Sequence, residues 1–111
     1  MAKKRPENCG IGPAFEAVGG KWKAVILWEL HPQARRFGEL KKRVPKISEK
    51  MLIQQLRELE ADGLIHRKAF PEVPPRVEYS LTHWGTSLNE ALGPLAAWGE
   101  RYLYRAGKRA P

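Results

Sequence analysis

The chain has 111 residues, enough for one domain with a modest core, and its 42% apolar content is that of a chain that folds. Twenty Lys and Arg against 12 Asp and Glu give a net charge of +8; this suits a polyanion such as nucleic acid or an anionic membrane surface, and equally a solvated basic face. A single cysteine excludes an internal disulfide framework and a multi-cysteine zinc site, and no apolar run is long enough to cross a bilayer. The opening "MAKKRPENCG" has charge but no apolar h-region, so no secretory signal is expected and a reducing cytoplasm is the expected compartment.

In chain order, residues 1–12 read as an arm in which Gly10 and Gly12 prevent regular structure. Residues 13–104 read as the folded domain. Pro13 suits the first position of a helix, Ala14, Phe15 and Val18 share one face, and Gly19-Gly20 ends it. A second helix is expected from about Lys21 to Leu30, with Trp22, Val25, Ile26 and Leu30 as its apolar stripe, widened by Leu27 and Trp28. His31-Pro32 stops it. In "RFGELKKRV", Phe37, Leu40 and Val44 recur at helical spacing, with Lys41 and Lys42 off that face. "PKIS" makes a tight connection, and Ser48 is a suitable N-cap. The next helix should run to about Asp62, with Gly63 ending it. Leu52, Leu56 and Leu59 face inward; Lys50, Gln54 and Arg57 fall opposite, beside Ile53.

Ile65 to Thr82 reads as a hairpin. Val77, Tyr79 and Leu81 alternate with Arg76, Glu78 and Ser80, and Ile65 to Phe70 is the antiparallel partner. The tip "PEVPP" holds three prolines, which cannot donate ladder hydrogen bonds and so exclude it from a sheet interior. Thr82 can cap a last helix whose Trp84, Leu88, Ala91, Leu95, Trp98 and Tyr102 form one stripe, with Leu92 and Leu103 on a second. Gly93-Pro94 should kink or break that helix. Residues 105–111 read as a basic tail.

The fold class that follows is mainly α with a small β-hairpin, a winged helix-turn-helix. Seven basic residues and two acidic ones lie between Arg35 and Lys50, on and around the third and fourth helices. A duplex is met by one helix in the major groove and by a stiff basic hairpin at the adjacent backbone or minor groove. Lys50, Gln54 and Ser48 are candidates for base edges or the groove, Ser48 equally for a purely capping role. Lys41, Lys42, Lys46, Arg57, Lys68 and Arg76 are phosphate candidates. Two apolar stripes on the last helix exceed what one core can cover, so a second copy of the chain is expected there. His31, His66 and His83 show no metal-ligand spacing with one another or with Cys9, and no catalytic constellation is visible, so neither a metal, a cofactor nor an enzymatic activity is expected.

The motifs "GGKW", "F-x-E-L", "P-x-I-S-x-K-M-L-x-Q-x-L-R-E-L-E-x-D-G-L-I" and "P-x-V-P-P-x-V-E-Y-S-L-T-x-x-G", in this order, resemble the HxlR family of bacterial transcriptional regulators, relatives of the MarR-type winged-helix proteins. The resemblance runs from about Cys9 to Tyr102. It implies a homodimer closed by the first and last helices, with Phe15, Leu88, Leu92, Leu95, Trp98 and Tyr102 at the interface. It implies that the helix beginning at Ser48 reads double-stranded DNA and that Phe70 to Val77 is the wing. Some members of the family sense oxidants, electrophiles or aldehydes through a cysteine at the place of Cys9. Here Cys9 lies near a helix N-terminus and follows Lys3, Lys4 and Arg5, features that favour a thiolate; an inert interface thiol is the alternative. The chain departs from the family at Gly10, where proline is common, and at Gly85, where a capping-box acid would be stronger. The inducer, operator and sign of regulation are not readable. Non-sequence-specific DNA binding and a winged helix used for protein contacts remain alternatives.

Overall fold

The computed structural model describes residues 10–105. Its first helix, α1 (Ile11–Ala17), starts before Pro13: Ala14 N donates to Gly10 O at 3.0 Å, so Gly12 is helical and Pro13 is the third residue. Proline is accepted there because N–H groups of a first turn have no intrahelical partner. In α2 (Lys23–Glu29) the inward track is Lys23, Ile26, Leu27 and the cap Leu30, all buried. Val25 and Trp28, expected in the core, are exposed. The apolar stripe is wider than the core it faces, and a lysine occupies the inward position one turn before Leu27.

A two-residue strand, β1 (Arg35–Arg36), follows. Helix α3 (Phe37–Arg43) buries Leu40 and leads to buried Val44. Glu39 closes its first turn by accepting from Arg36 N at 2.8 Å. Helix α4 (Glu49–Ala61) buries Leu52, Leu56 and Leu59 on one side. Each of these leucines contributes about 2 kcal/mol of apolar burial. Gly63, with φ 77°, ends the helix in a left-handed conformation that glycine adopts without steric cost.

Strands β2 (Ile65–Phe70) and β3 (Arg76–Leu81) form the hairpin, with Ile65 opposite Leu81 and Phe70 opposite Arg76. β1 pairs with the free edge of β3, Arg35 opposite Tyr79, so the sheet is three-stranded in the order β1-β3-β2. β1 thus braces the hairpin along the β3 side, at Glu78 and Tyr79, while the tip, residues 71–75, is exposed.

The last helix, α5 (His83–Tyr104), runs through Pro94 without a break. One proline removes a single ladder hydrogen bond, and 22 residues of helix carry the loss. Its Thr82 cap accepts from Gly85 N at 3.1 Å and donates to Gly63 O at 2.6 Å. Gly85 sits so close to the start of β2 that a Cβ on it would lie 2.1 Å from Leu64 O. This packing explains why no acidic side chain stands there. The inward track of α5 is Gly85, Leu88, Asn89 and Leu92. Asn89 is buried and its Nδ2 donates to Leu27 O at 2.7 Å, fastening α5 to α2.

Candidate nucleic-acid interface

The turn between α3 and α4 is built by three neighbours. Ile47 is buried, Lys46 takes a left-handed φ of 73°, and Ser48 Oγ accepts from Met51 N at 3.0 Å. A left-handed lysine costs about 1–2 kcal/mol; the buried isoleucine and the cap offset it. Ser48 is thus an N-cap in fact, and it remains exposed at the start of the outer face.

On that face Lys50, Ile53, Gln54 and Arg57 are exposed and, with Glu49 and Glu58, line one open concave surface. The three-residue steps 50–53, 54–57 and the four-residue steps 50–54, 53–57 put them on adjacent helical turns. Among the described residues neither Lys50 nor Arg57 is ion-paired. Gln54 is held: its Nε2 donates to Glu58 Oε2 at 3.1 Å, and Glu58 Oε1 lies 2.7 Å from Lys23 Nζ. Lys23 comes from α2 and is only 8% exposed. The hydrogen bond from Lys23, then that from Gln54, hold the Glu58 carboxyl below the usual carboxylate range. No periodicity pairs a lysine with a glutamate 35 positions away, and neither residue is legible as part of this face from sequence.

The wing is braced from within. Arg76 Nη2 lies 2.7 Å from Glu72 Oε2, its Nη1 donates to Glu78, and its guanidinium stacks 3.7 Å from the Phe70 ring centroid. Arg76 in turn holds the Glu72 carboxyl below its ordinary value. Lys68 Nζ lies 5.0 Å from the same ring. Lys68 and Arg67 are both exposed and, being adjacent in a strand, face opposite sides of the hairpin. Arg67, not singled out as a DNA candidate from sequence, lines one groove with Arg57, Ile53, Glu60 and Tyr79. Two arginines, one from α4 and one from β2, thus share a groove. Lys41 and Lys42 are exposed in the last turn of α3, where cations complement the helix dipole; Arg43 beside them is bound to Glu29 at 2.7 Å.

A second surface is apolar. Phe15 on α1 is 61% exposed and Trp98 on α5 is 53% exposed, with Leu95 and Tyr102 also open. Trp98 and Tyr102 stack at 5.0 Å. Val25 and Trp28 meet Leu92 and Leu95 in an apolar groove. Leu88, by contrast, packs partly on the chain's own core, because it lies on the inward track of α5. Of the histidines, His31 stacks on Trp28 and His83 meets Trp84 edge-on. Cys9 and the basic residues before it lie outside the described residues.

A family model described as HxlR-like helix-turn-helix matches residues 17–106. The uncharacterised HTH-type transcriptional regulator YdeP of Bacillus subtilis (strain 168) is 45% identical over 102 residues, spanning 92% of this chain and 80% of YdeP. A solved structure of the redox regulator HypR in its reduced form superposes with a TM-score of 0.84 at 37% identity, over 91% of this chain and 100% of that one. A transcriptional regulator named as of the MarR family, from Enterococcus faecalis V583, superposes with a TM-score of 0.81 at 38% identity, over 98% of this chain and 97% of that one.

Proposed function

The chain belongs to the HxlR-like helix-turn-helix family and is a transcriptional regulator of the HTH type; from that premise we propose that it binds a pseudo-palindromic operator sequence-specifically, as a homodimer. The observation that carries this reading is the outer face of α4. Two cations without an ion pair among the described residues, Lys50 and Arg57, flank a glutamine whose amide is held in place. A major groove about 12 Å wide admits such a helix. Lys50 and Gln54 would reach base edges, with Ser48 at the mouth of the groove. Arg57, Lys46, Lys41, Lys42 and Lys68 would contact phosphates, and Arg67 joins them through its groove with Arg57. Arg76 is assigned to bracing the wing rather than to phosphate, since two glutamates already compensate its charge.

The dimer would close over the apolar surface of α1 and α5, through Phe15, Leu95, Trp98 and Tyr102, with Leu88 and Leu92 at its inner margin. A two-fold axis there repeats the recognition helix, and the half-sites should lie about 34 Å apart. Selection of bound duplexes from a randomised pool by the purified protein tests the reading. It should enrich an inverted repeat with one helical turn between half-site centres. A pool that emerges without any enriched sequence refutes it.

A redox response through Cys9 is a second element of the proposal. It draws on the electrostatics of the arm sequence and on the likeness to HypR, which is named a redox regulator. With one cysteine per chain, oxidation ends in an adduct, a higher oxide or a bridge between chains. Gel shifts with diamide on wild type and Cys9→Ser should differ; identical behaviour of the two proteins assigns Cys9 the inert role.

A further inference from the structure

Gln54 is the one uncharged polar side chain at the centre of the exposed face of α4, and a carboxamide can present either its oxygen or its nitrogen outward. Which end it presents is decided by what it is bonded to. Glu58, four residues on, is ionised and can only accept. It therefore takes an N–H of Gln54, at 3.1 Å, and turns the Gln54 oxygen away from itself. Glu58 is in turn fixed by Lys23, which has three donors and no acceptor, at 2.7 Å. Lys23 is the buried end of this chain, 8% exposed. The order is thus set from the core outward: the Lys23 ammonium donates to the Glu58 carboxylate, the Gln54 N–H donates to the same carboxylate, and the Gln54 oxygen is left to the surface.

We propose that Lys23 and Glu58 are positioning residues that fix the polarity of the Gln54 amide, so that Gln54 presents an acceptor and one remaining N–H and reads adenine. The inference rests on the recognition-helix reading above. Adenine in the major groove offers N6–H as donor and N7 as acceptor, which matches that pair; guanine offers two acceptors, O6 and N7, and does not.

The logic gives a specific inversion. In Glu58→Gln, Lys23 still demands an acceptor and takes the new amide's oxygen. The NH2 of residue 58 then faces Gln54. Two NH2 groups cannot bond each other by donation alone, so Gln54 turns its oxygen inward and its two N–H groups outward. Two outward donors match guanine.

The experiment is duplex selection from a randomised pool, followed by binding titrations with the four variants at each enriched position. Thermal melts confirm that each protein is folded. Gln54→Ala should erase the preference at one base pair of each half-site, which identifies the pair that Gln54 reads. If Gln54→Ala changes no position, the base-reading role of Gln54 itself fails and the proposal falls with it. At the identified pair, wild type should favour adenine about tenfold, and Glu58→Gln should shift that ratio by about a hundredfold, so that guanine is favoured about tenfold. An adenine preference that survives in Glu58→Gln, while Gln54→Ala abolishes it, overturns the positioning inference and leaves the recognition helix standing. A second variant, Lys23→Met with Glu58→Met, leaves no buried charge and keeps the test open if Glu58→Gln is unstable. Freed from the carboxylate, Gln54 should bind adenine and guanine duplexes within about threefold of each other, against about tenfold in wild type. Wild-type discrimination in that double variant also overturns the inference.

Discussion

Replacing Gly85 by alanine sets two effects of opposite sign against each other. In a helix interior alanine is favoured over glycine by about 1 kcal/mol, and Gly85 is in the first turn of a 22-residue helix. The packing opposes this. The new Cβ would sit 2.1 Å from Leu64 O and 3.1 Å from Leu81 Cδ2. A carbon and a carbonyl oxygen rest about 3.3 Å apart, so the start of α5 must retreat by about 1 Å. The retreat pulls on two bonds, Thr82 Oγ1 to Gly63 O at 2.6 Å and Thr82 N to Leu64 O at 3.1 Å, each worth about 1 kcal/mol. With overpacking of about 1–3 kcal/mol and the propensity gain subtracted, the net loss is about 2–4 kcal/mol. For a domain of this size that lowers Tm by roughly 10–20 °C. The assay is a circular dichroism melt at fixed protein concentration, alongside Gly38→Ala, where a Cβ meets nothing within 4 Å. Gly38→Ala should leave Tm level or raise it slightly. A Gly85→Ala protein that melts at or above wild type refutes the packing argument.

Arg57→Ala and Lys68→Ala should each flatten the dependence of log K on log salt by about 1.8 if each removes one phosphate contact per protomer of the dimer; titrations between 50 and 200 mM salt read this directly. Arg76→Ala should instead disorder the wing, seen as faster amide exchange over residues 70–76, with a smaller change in salt slope. Glu58 and Glu72 both have folded-state pKa values below their ordinary 4.5, through Lys23 and Arg76 respectively. Their contribution to stability is therefore present above pH 4.5 and is lost as pH falls through the lower folded values; urea midpoints should drop on acidification in wild type and drop less in Glu72→Gln. Light scattering should give a dimer mass without DNA, and Trp98→Glu, which places a charge in the open apolar face, should shift it toward the monomer.

The helix-turn-helix core was legible because local signals there agree. In α4 the leucine track, the Ser48 cap and the Gly63 terminator all point one way, and the structure has all three. β1 was not legible, since two arginines form a strand only because β3 offers a free edge. Of the kink or break expected at Gly93-Pro94, the break does not occur, because a proline cost is local, whereas the helix is secured at its Thr82 cap and by Asn89 against α2. Gly85 looked like a weak cap; its reason is a backbone oxygen 21 positions earlier. Lys23 was hidden for a similar reason, as a lysine on an apolar track is explained only by a carboxylate supplied from another helix. The outer face of α4 could be read by helical spacing, but the hydrogen bonds that orient Gln54 could not. The arm with Cys9 lies outside the described residues.

Sequence-specific operator binding is tested most directly by fluorescence anisotropy at one salt concentration, with the selected operator and a scrambled duplex of the same composition competing for the purified protein. The account predicts that the operator binds at least about 10³-fold more tightly, and that Gln54→Ala removes a large part of this ratio while leaving scrambled binding unchanged. Operator and scrambled duplex bound within tenfold of each other, with the same salt slope and no effect of Gln54→Ala, would contradict it.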